Sequence, residues 1–386
     1  MSDPALAKAV QCYGEQPYGQ AWLRRYRDRK PAFVCILGFT ETALIPHISA
    51  AGNTPEARRY TAVADAEFLY DGPTAEPTYA LPPLQAGVSP AFITKAIIAA
   101  QSIPLYLFDA GLAQPLSVPH IALTGQPARC LSTGRALPIA AANRLFQAGW
   151  QWGQRLARRF QNSYLIIGEC VVGGTTTAQA VLSGLGFEAA SKVSSSHPHC
   201  NHAQKTALAA QGLRQLQQRS RCPITQLSPI EIAAAVGDPM QLAAAGLALA
   251  AAQHCGILLA GGSQMIAVYA LMRAIAHHQS RPWLPENIVI GTTRWVVEDS
   301  SSHVVQLAQL VSGISLLTSQ ITFETARYAA LQIYEQGFVK EGVGAGGCAI
   351  AAYLYQQWAQ TELLAAIEAL LDSYSQRSLS QKQLAH

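Results

Sequence analysis

The residues best suited to chemistry stand at 173–177, Gly-Gly-Thr-Thr-Thr. They follow a short apolar run and precede a helical pattern. A helix start offers free backbone N–H groups and a partial positive charge, and both attract phosphate. Gly173 and Gly174 permit close backbone approach, and Thr175, Thr176 and Thr177 supply hydroxyl donors. A nucleoside-triphosphate loop carries lysine after its second glycine. Thr175 holds that place here, which points to a monophosphate, such as that of a sugar phosphate. The same pattern also suits a plain turn that caps a helix beginning after Thr177.

Two carboxylates accompany it. Glu169 ends the strand that feeds the turn, where it could bind ribose hydroxyls, orient a base or cap nearby amides. Glu341 opens the glycine run Lys340-Glu341-Gly342-Val343-Gly344-Ala345-Gly346-Gly347. Glycines let a flat ring approach, and desolvation there raises a carboxyl pKa toward proton abstraction. The competing reading is a mobile loop with a solvated Lys340-Glu341 pair. Asp109, at another strand end, is either a substrate-orienting residue or a helix cap.

Residues 194–202, SSSHPHCNH, bring His197, His199, Cys200 and His202 close in sequence. Their spacing fits no zinc pattern and a second half-site is missing, so no metal is expected. Ser194 and its neighbours instead suit phosphate or a turn. Asp299-Ser300-Ser301-Ser302-His303 lacks a nucleophile-elbow pattern and reads as a cap.

Strand–turn–helix units must position these groups. Apolar runs at 33–37, 105–108, 164–167, 256–259 and 287–290 each end in a turn of small or polar residues. Helix starts are marked by Ser89-Pro90, Thr177, Ser228-Pro229 and Ser263. Such repetition predicts an α/β fold, Rossmann-like, with a doubly wound and mostly parallel sheet and helices on both faces. Ligands in these folds lie beyond the carboxyl ends of the strands. Residues 33–352 form the expected main domain. A helical segment at 1–32 and residues 353–386 form a small subdomain, the latter as a helix over 353–374 and a disordered polar tail from Ser375 to His386.

Composition narrows the classes. Of 386 residues half are hydrophobic and 13% charged, enough for a large core. A net charge of +4, with modest basic clusters, argues against nucleic-acid binding. No uncharged stretch has the roughly 18 uninterrupted apolar residues of a membrane span. The 8 scattered cysteines form no Cys-x-x-Cys pair, and the N-terminus shows no signal-peptide pattern. A cytoplasmic protein with small-molecule partners is expected.

As a set, GFTETALIPHISAAG at 38–52, TAVADAEFLYDG at 61–72, GECVVGGTTTAQAVL at 168–182, VSSSHP at 193–198, VGDPMQLAAAGLA at 236–248, LLAGGSQMIAVYAL at 258–271 and FVKEGVGAGG at 338–347 resemble a known family. It is the nicotinate mononucleotide-dependent phosphoribosyltransferases of cobalamin lower-ligand synthesis, and more closely a branch whose members carry no assigned function. The resemblance runs from about residue 33 to 354. The family's Gly-Glu…Gly-Asn-Thr-Thr-Thr loop is similar to 168–177, with Gly174 in place of Asn. Its Leu-Gly-Glu-Gly-Thr-Gly-Ala loop is similar to 339–345, with Lys340 in place of Gly.

The resemblance implies that Glu341 is the general base, that Glu169 and Gly173 contact the phosphoribosyl group, and that Lys205 meets the phosphate. Asp109 matches a family Asp-x-Gly turn. It further implies nicotinate mononucleotide and an aromatic base, dimethylbenzimidazole or a related one, as substrates, no cofactor, and a homodimer. Departures fall at Ala260-Gly261-Gly262, where the family has Asp-Gly, at Ser194-Ser195-Ser196 in place of Gly-x-Gly-Thr-Gly, and at Ser300-Ser301-Ser302-His303 in place of Ser-x-Glu-x-Gly-His. They leave the accepting base open. An N-glycosidic hydrolase or phosphorylase acting on another nucleotide, or a catalytically silent nucleotide-binding protein, stays in view.

Overall fold

Ala32–Leu37 shows how the sheet forms. No side chain in this strand is polar and every one is fully buried. Val34 and Ile36 enter one core while Phe33, Cys35 and Leu37 enter another. A strand covered on both faces reads as a continuous apolar run. The same division recurs in the neighbouring strands, where Leu165 and Ile167 face the first core and Tyr164 and Ile166 the second.

The computed structural model describes residues 4–52, 54–82 and 87–384. Its strands are β1 (Val10–Gly14), β2 (Ala32–Leu37), β3 (Leu105–Asp109), β4 (Ile121–Ala122), β5 (Tyr164–Cys170), β6 (Gly256–Ala260), β7 (Ile288–Thr293) and β8 (Ser315–Ser319). They form one sheet in the order β1-β8-β7-β6-β5-β2-β3-β4. All pairs are parallel except β1 with β8. Helices Ile139–Arg159, Gly174–Gly184, Pro239–Ala251 and Ser263–His278 contribute to one core. Helices Gln16–Tyr26, Thr61–Asp71, Ala91–Ala100 and Ala345–Gln356 contribute to the other. The fold is the doubly wound α/β architecture expected from the sequence.

From β2 the chain proceeds to β3 and β4 on one side. From β5 it proceeds to β6, β7 and β8 on the other. The connections leaving β2 and β5 therefore diverge, and a crevice opens at their carboxyl ends. The Gly-Gly-Thr-Thr-Thr turn leaves β5 at this place.

Some elements differ from expectation. The N-terminal segment is not helical throughout, because Val10–Gly14 adds the antiparallel edge strand beside β8. The helix expected over 353–374 is broken. Gln357 takes a left-handed conformation (φ 57°), closing helix Ala345–Gln356, and a new helix spans Gln360–Leu384. That helix also takes up 375–384 of the expected disordered tail, and residues 385–386 lie outside the described residues. Leu363, Ile367 and Leu371 bury its inner side, and Glu368 accepts from the Arg327 backbone N–H and guanidinium. Docking supplies the stability that its polar composition lacks.

Candidate active site

The site begins at Glu169-Cys170, the end of β5. Gly173 takes φ +82°, a left-handed conformation that suits glycine, and turns the chain into helix Gly174–Gly184. The helix starts four residues earlier than expected, at Gly174 rather than after Thr177. Gly173, Gly174 and Thr175 line a cavity, so the helix N-terminus faces it. Thr176 and Thr177 are fully buried and do not line it. Thr177 donates instead to Asp238 (2.6 Å), the N-cap of helix Pro239–Ala251. The three expected hydroxyl donors thus reduce to one, because successive residues of a helical turn point in different directions.

Glu169 lies on the same cavity. One carboxylate oxygen accepts from Val171 N–H (2.9 Å) and the other from the Gln264 side-chain amide (2.8 Å). Burial, then the nearby Asp238 carboxylate, and more weakly Glu341, push its pKa up to about 8 against these bonds. It is largely protonated at neutral pH and able to donate.

Glu341 approaches from the far end of the chain. Its carboxylate accepts from Thr293 N–H (2.9 Å), the Thr292 hydroxyl (3.1 Å), Gly342 N–H (3.1 Å) and Gly346 N–H (3.2 Å). Burial raises its pKa to about 7, and those four donors limit the rise. A Cβ on Gly346 would stand 2.2 Å from the Thr292 carbonyl carbon, so glycine is required for this approach. Val343 N–H binds the Glu169 carbonyl (3.2 Å), joining the two carboxylate-bearing segments through the backbone.

The Glu341 loop is strained and anchored. Val339, Lys340 and Val343 have φ of 63°, 66° and 52°, a region costly for side chains branched at Cβ. Lys340 is 2% exposed. Its ammonium donates to Asp299 (2.6 Å) and to the His197 carbonyl (3.0 Å). Against burial, which would raise it, Lys340 and Ser301 hold the Asp299 carboxyl below its usual range. The solvated Lys340-Glu341 pair is therefore replaced by a buried Lys340-Asp299 pair.

Other expected residues sit elsewhere. Ser194 and Gly262 line the cavity, but Gly261 does not. Lys205 is fully buried behind it, with its ammonium on the Ser194 carbonyl (2.6 Å), and burial lowers its pKa to about 8. It supports the serine loop rather than facing the cavity. Asp109 accepts from Gly111 and Leu112 N–H (2.8 and 3.0 Å), closing a turn rather than capping the expected helix, since β4 follows β3 with no helix between them. Ser301 donates to Asp299 (2.7 Å), away from the cavity. His197 and His202 bind the carbonyls of His47 and Ser301. Among the described residues no group of three His, Cys, Asp or Glu is placed to hold a metal.

Residues to which the sequence gave no role complete the lining. Arg58 donates to the carbonyls of Ala43, Ile45, Ser49 and Ala51, shaping the 48–52 wall. Thr61, Asp65 and Ser89 form another side. Asp65 accepts from Ser89 Oγ (2.7 Å) and Cys170 Sγ (3.3 Å), and burial raises its pKa to about 6. The available signal was a carboxylate within a wholly buried, alanine-rich stretch of helix.

The comparisons with known proteins agree with this architecture. A family profile described as phosphoribosyltransferase matches residues 93–285, half of the chain. A UPF0284 protein of Trichodesmium erythraeum is 54% identical over 365 residues, 95% of this chain and 99% of its own length. One from Cyanothece is 56% identical over 369 residues, covering 96% and 98%. The chain belongs to the phosphoribosyltransferase family and, within it, to the UPF0284 proteins. The fold is shared with nicotinate-nucleotide-dimethylbenzimidazole phosphoribosyltransferase of Thermus thermophilus (TM-score 0.57, 18% identity, 96% of each chain). It is shared also with a structure of CobT from that organism (TM-score 0.59, 18% identity, 95% and 93%). Among the described residues no helix is long and apolar enough to cross a membrane.

Two stability measurements test this geometry. Glu169 keeps its proton to about pH 8 when folded, against 4.5 for the unperturbed group. The folded state therefore binds the extra proton, and the associated stability, full below pH 4.5, is lost as pH rises through 8. Glu169→Gln removes that loss: its Tm should exceed the wild type's at pH 8.5, with the gap closing toward pH 5. A gap independent of pH contradicts the assignment. Lys340→Met leaves Asp299 buried without its cation and should cost about 3 kcal/mol in denaturant unfolding. Adding Asp299→Asn should recover part of it; additive losses contradict a coupled pair.

Proposed function

We propose that the protein transfers phosphoribosyl from nicotinate mononucleotide to the ring nitrogen of an aromatic base. The observation that carries this reading is one cavity, at the switch point of the sheet, with a helix N-terminus and a buried carboxylate on its lining. Membership of the phosphoribosyltransferase family supports the reaction class. The substrates named for the Thermus fold relative suggest the particular donor.

In this reading the 5′-phosphate rests on Gly173, Gly174 and Thr175, with the hydroxyls of Ser194, Ser195 and Ser196 available to it. The helix N-terminus attracts the anion without a free lysine. Protonated Glu169 donates to a ribose oxygen. Glu341, with a pKa near 7, takes the N–H proton of the accepting base. The freed nitrogen lone pair attacks the anomeric carbon in line. The bond to the nicotinate ring nitrogen breaks, its electron pair neutralises the pyridinium, and the configuration inverts. The protein contributes positioning and proton removal. The product is a ribazole-type 5′-phosphate, placing the protein in cobalamin lower-ligand synthesis, as a cytoplasmic homodimer.

The test is nicotinate release from nicotinate mononucleotide by purified protein with a panel of aromatic bases. Release that depends on base, with a base-ribotide product, is expected. Release in water alone identifies a hydrolase, and binding without turnover a silent receptor; either overturns the reading. Glu341→Gln should lower kcat/KM by about 100-fold or more. The Glu169 proton is lost near pH 8, so kcat/KM should fall above that pH, while the need for an ionised base gives a limb that rises through about 7. That limb should vanish in Glu341→Gln; a limb that persists there removes Glu341 from the role.

A further inference from the structure

A second cavity, of about 400 Å³, lies at the far end of helix His202–Arg219, and its lining shares no residue with the first. Arg129, Arg135 and Arg219 line it. Among the described residues none of the three forms an ion pair. Burial, and then the Arg135 charge, lower the Arg219 pKa, so these two cations repel each other. Glu231 also lies on the lining, where one carboxylate oxygen accepts from the Ser228 N–H (2.8 Å) and hydroxyl (2.7 Å). Those bonds, and more weakly His278, hold its pKa down against burial. The backbone fixes the arginine-bearing loop. Arg129 N–H binds the Ala136 carbonyl (2.8 Å), and Ala136 and Leu137 N–H bind the Ala235 and Ala234 carbonyls (3.0 and 2.7 Å). The 21-residue helix Ile139–Arg159 starts on the same lining without a side-chain cap, which adds partial positive charge. Ile139, 46% exposed, and Leu227 supply an apolar wall.

We infer that this cavity binds a small phosphate ester, with the phosphate group on Arg129, Arg135 and Arg219 and the apolar part of the ester against Ile139 and Leu227. Guanidinium forks match phosphate oxygens in bidentate pairs and keep their charge at neutral pH. Three cations without a counter-charge favour a dianion over a monocarboxylate, and a dianion relieves the repulsion between Arg135 and Arg219. The cavity volume falls in the range of small-molecule pockets, roughly 300–1,000 Å³. The site is separate from the phosphoribosyl-transfer reading. Helix His202–Arg219 nonetheless joins the two cavities. Its 18 residues span about 27 Å. Arg219 ends it, and Lys205 in its first turn holds the Ser194 carbonyl (2.6 Å) of the serine loop.

The test is calorimetry with phenyl phosphate and with inorganic phosphate at about pH 8, where both are largely dianions. Phenyl phosphate should bind the wild type more tightly than inorganic phosphate does. Arg135→Gln and Arg219→Gln, both at exposed positions, should each weaken it about tenfold, the worth of one charge-assisted hydrogen bond. Arg158→Gln, at an exposed position outside the cavity, should leave it unchanged. No binding to the wild type, equal affinity for the two phosphates, an equal loss in Arg158→Gln, or no loss in either cavity variant overturns the inference. Location is read separately, because the 173–175 turn also attracts phosphate. In crystals soaked with tungstate, a heavy phosphate analogue, the anion should lie on the three guanidinium groups and be missing there when Arg135→Gln and Arg219→Gln are combined. Tungstate confined to the 173–175 turn overturns the inference, whether or not the protein transfers phosphoribosyl.

Discussion

A carboxylate taken out of water and met by four donors governs this structure. Glu341 would be costly to ionise in an apolar crevice. The end of β7, Gly342 of its own loop and the first turn of helix Ala345–Gln356 supply three backbone N–H groups and a hydroxyl for it. The arrangement leaves its pKa near 7, where it exchanges a proton readily. Reaching those donors forces the loop through three left-handed, non-glycine residues. Such strain persists only where surrounding contacts over-determine the conformation. The Lys340-Asp299 pair and the Val343–Glu169 backbone bond are those contacts.

The topology explains why distant segments meet. A doubly wound sheet directs every parallel strand's carboxyl end to one side, and divergence of the loops after β2 and β5 leaves that side open. The helix after β5 presents its N-terminus there. The loop before helix Ala345–Gln356 folds back over the same edge, and helix Thr61–Asp71 closes another side with polar groups. Three raised carboxyl pKa values, at Glu169, Glu341 and Asp65, then share one cause, burial around a common cavity. Clustering of perturbed groups in a cleft is the ordinary mark of a functional site.

The sheet was legible because doubly buried strands leave apolar runs that end in small residues. β1, β4 and β8 were not: β4 has two residues, and Val10–Gly14 and Ser315–Ser319 carry polar side chains that blur the pattern. At the turn after β5, composition announced a helix start but not its phase. Tertiary packing sent Thr177 toward Asp238 and left Thr175 to the cavity. Lys205 illustrates the same limit, since the resemblance implies a phosphate contact there, while burial places its ammonium on the Ser194 carbonyl. Asp65 lies inside the 61–72 segment that carries the resemblance, yet nothing in that segment gave it a role. Its partners Ser89 and Cys170 are distant in sequence, and only the fold assembles them.

A crystal structure with nicotinate mononucleotide bound tests the central claim most directly. The phosphate should lie on the backbone N–H groups of the 173–175 turn, with the anomeric carbon directed toward the Glu341 carboxylate. A nucleotide bound elsewhere than this face of the sheet, or reversed so that its phosphate meets Glu341, contradicts the account.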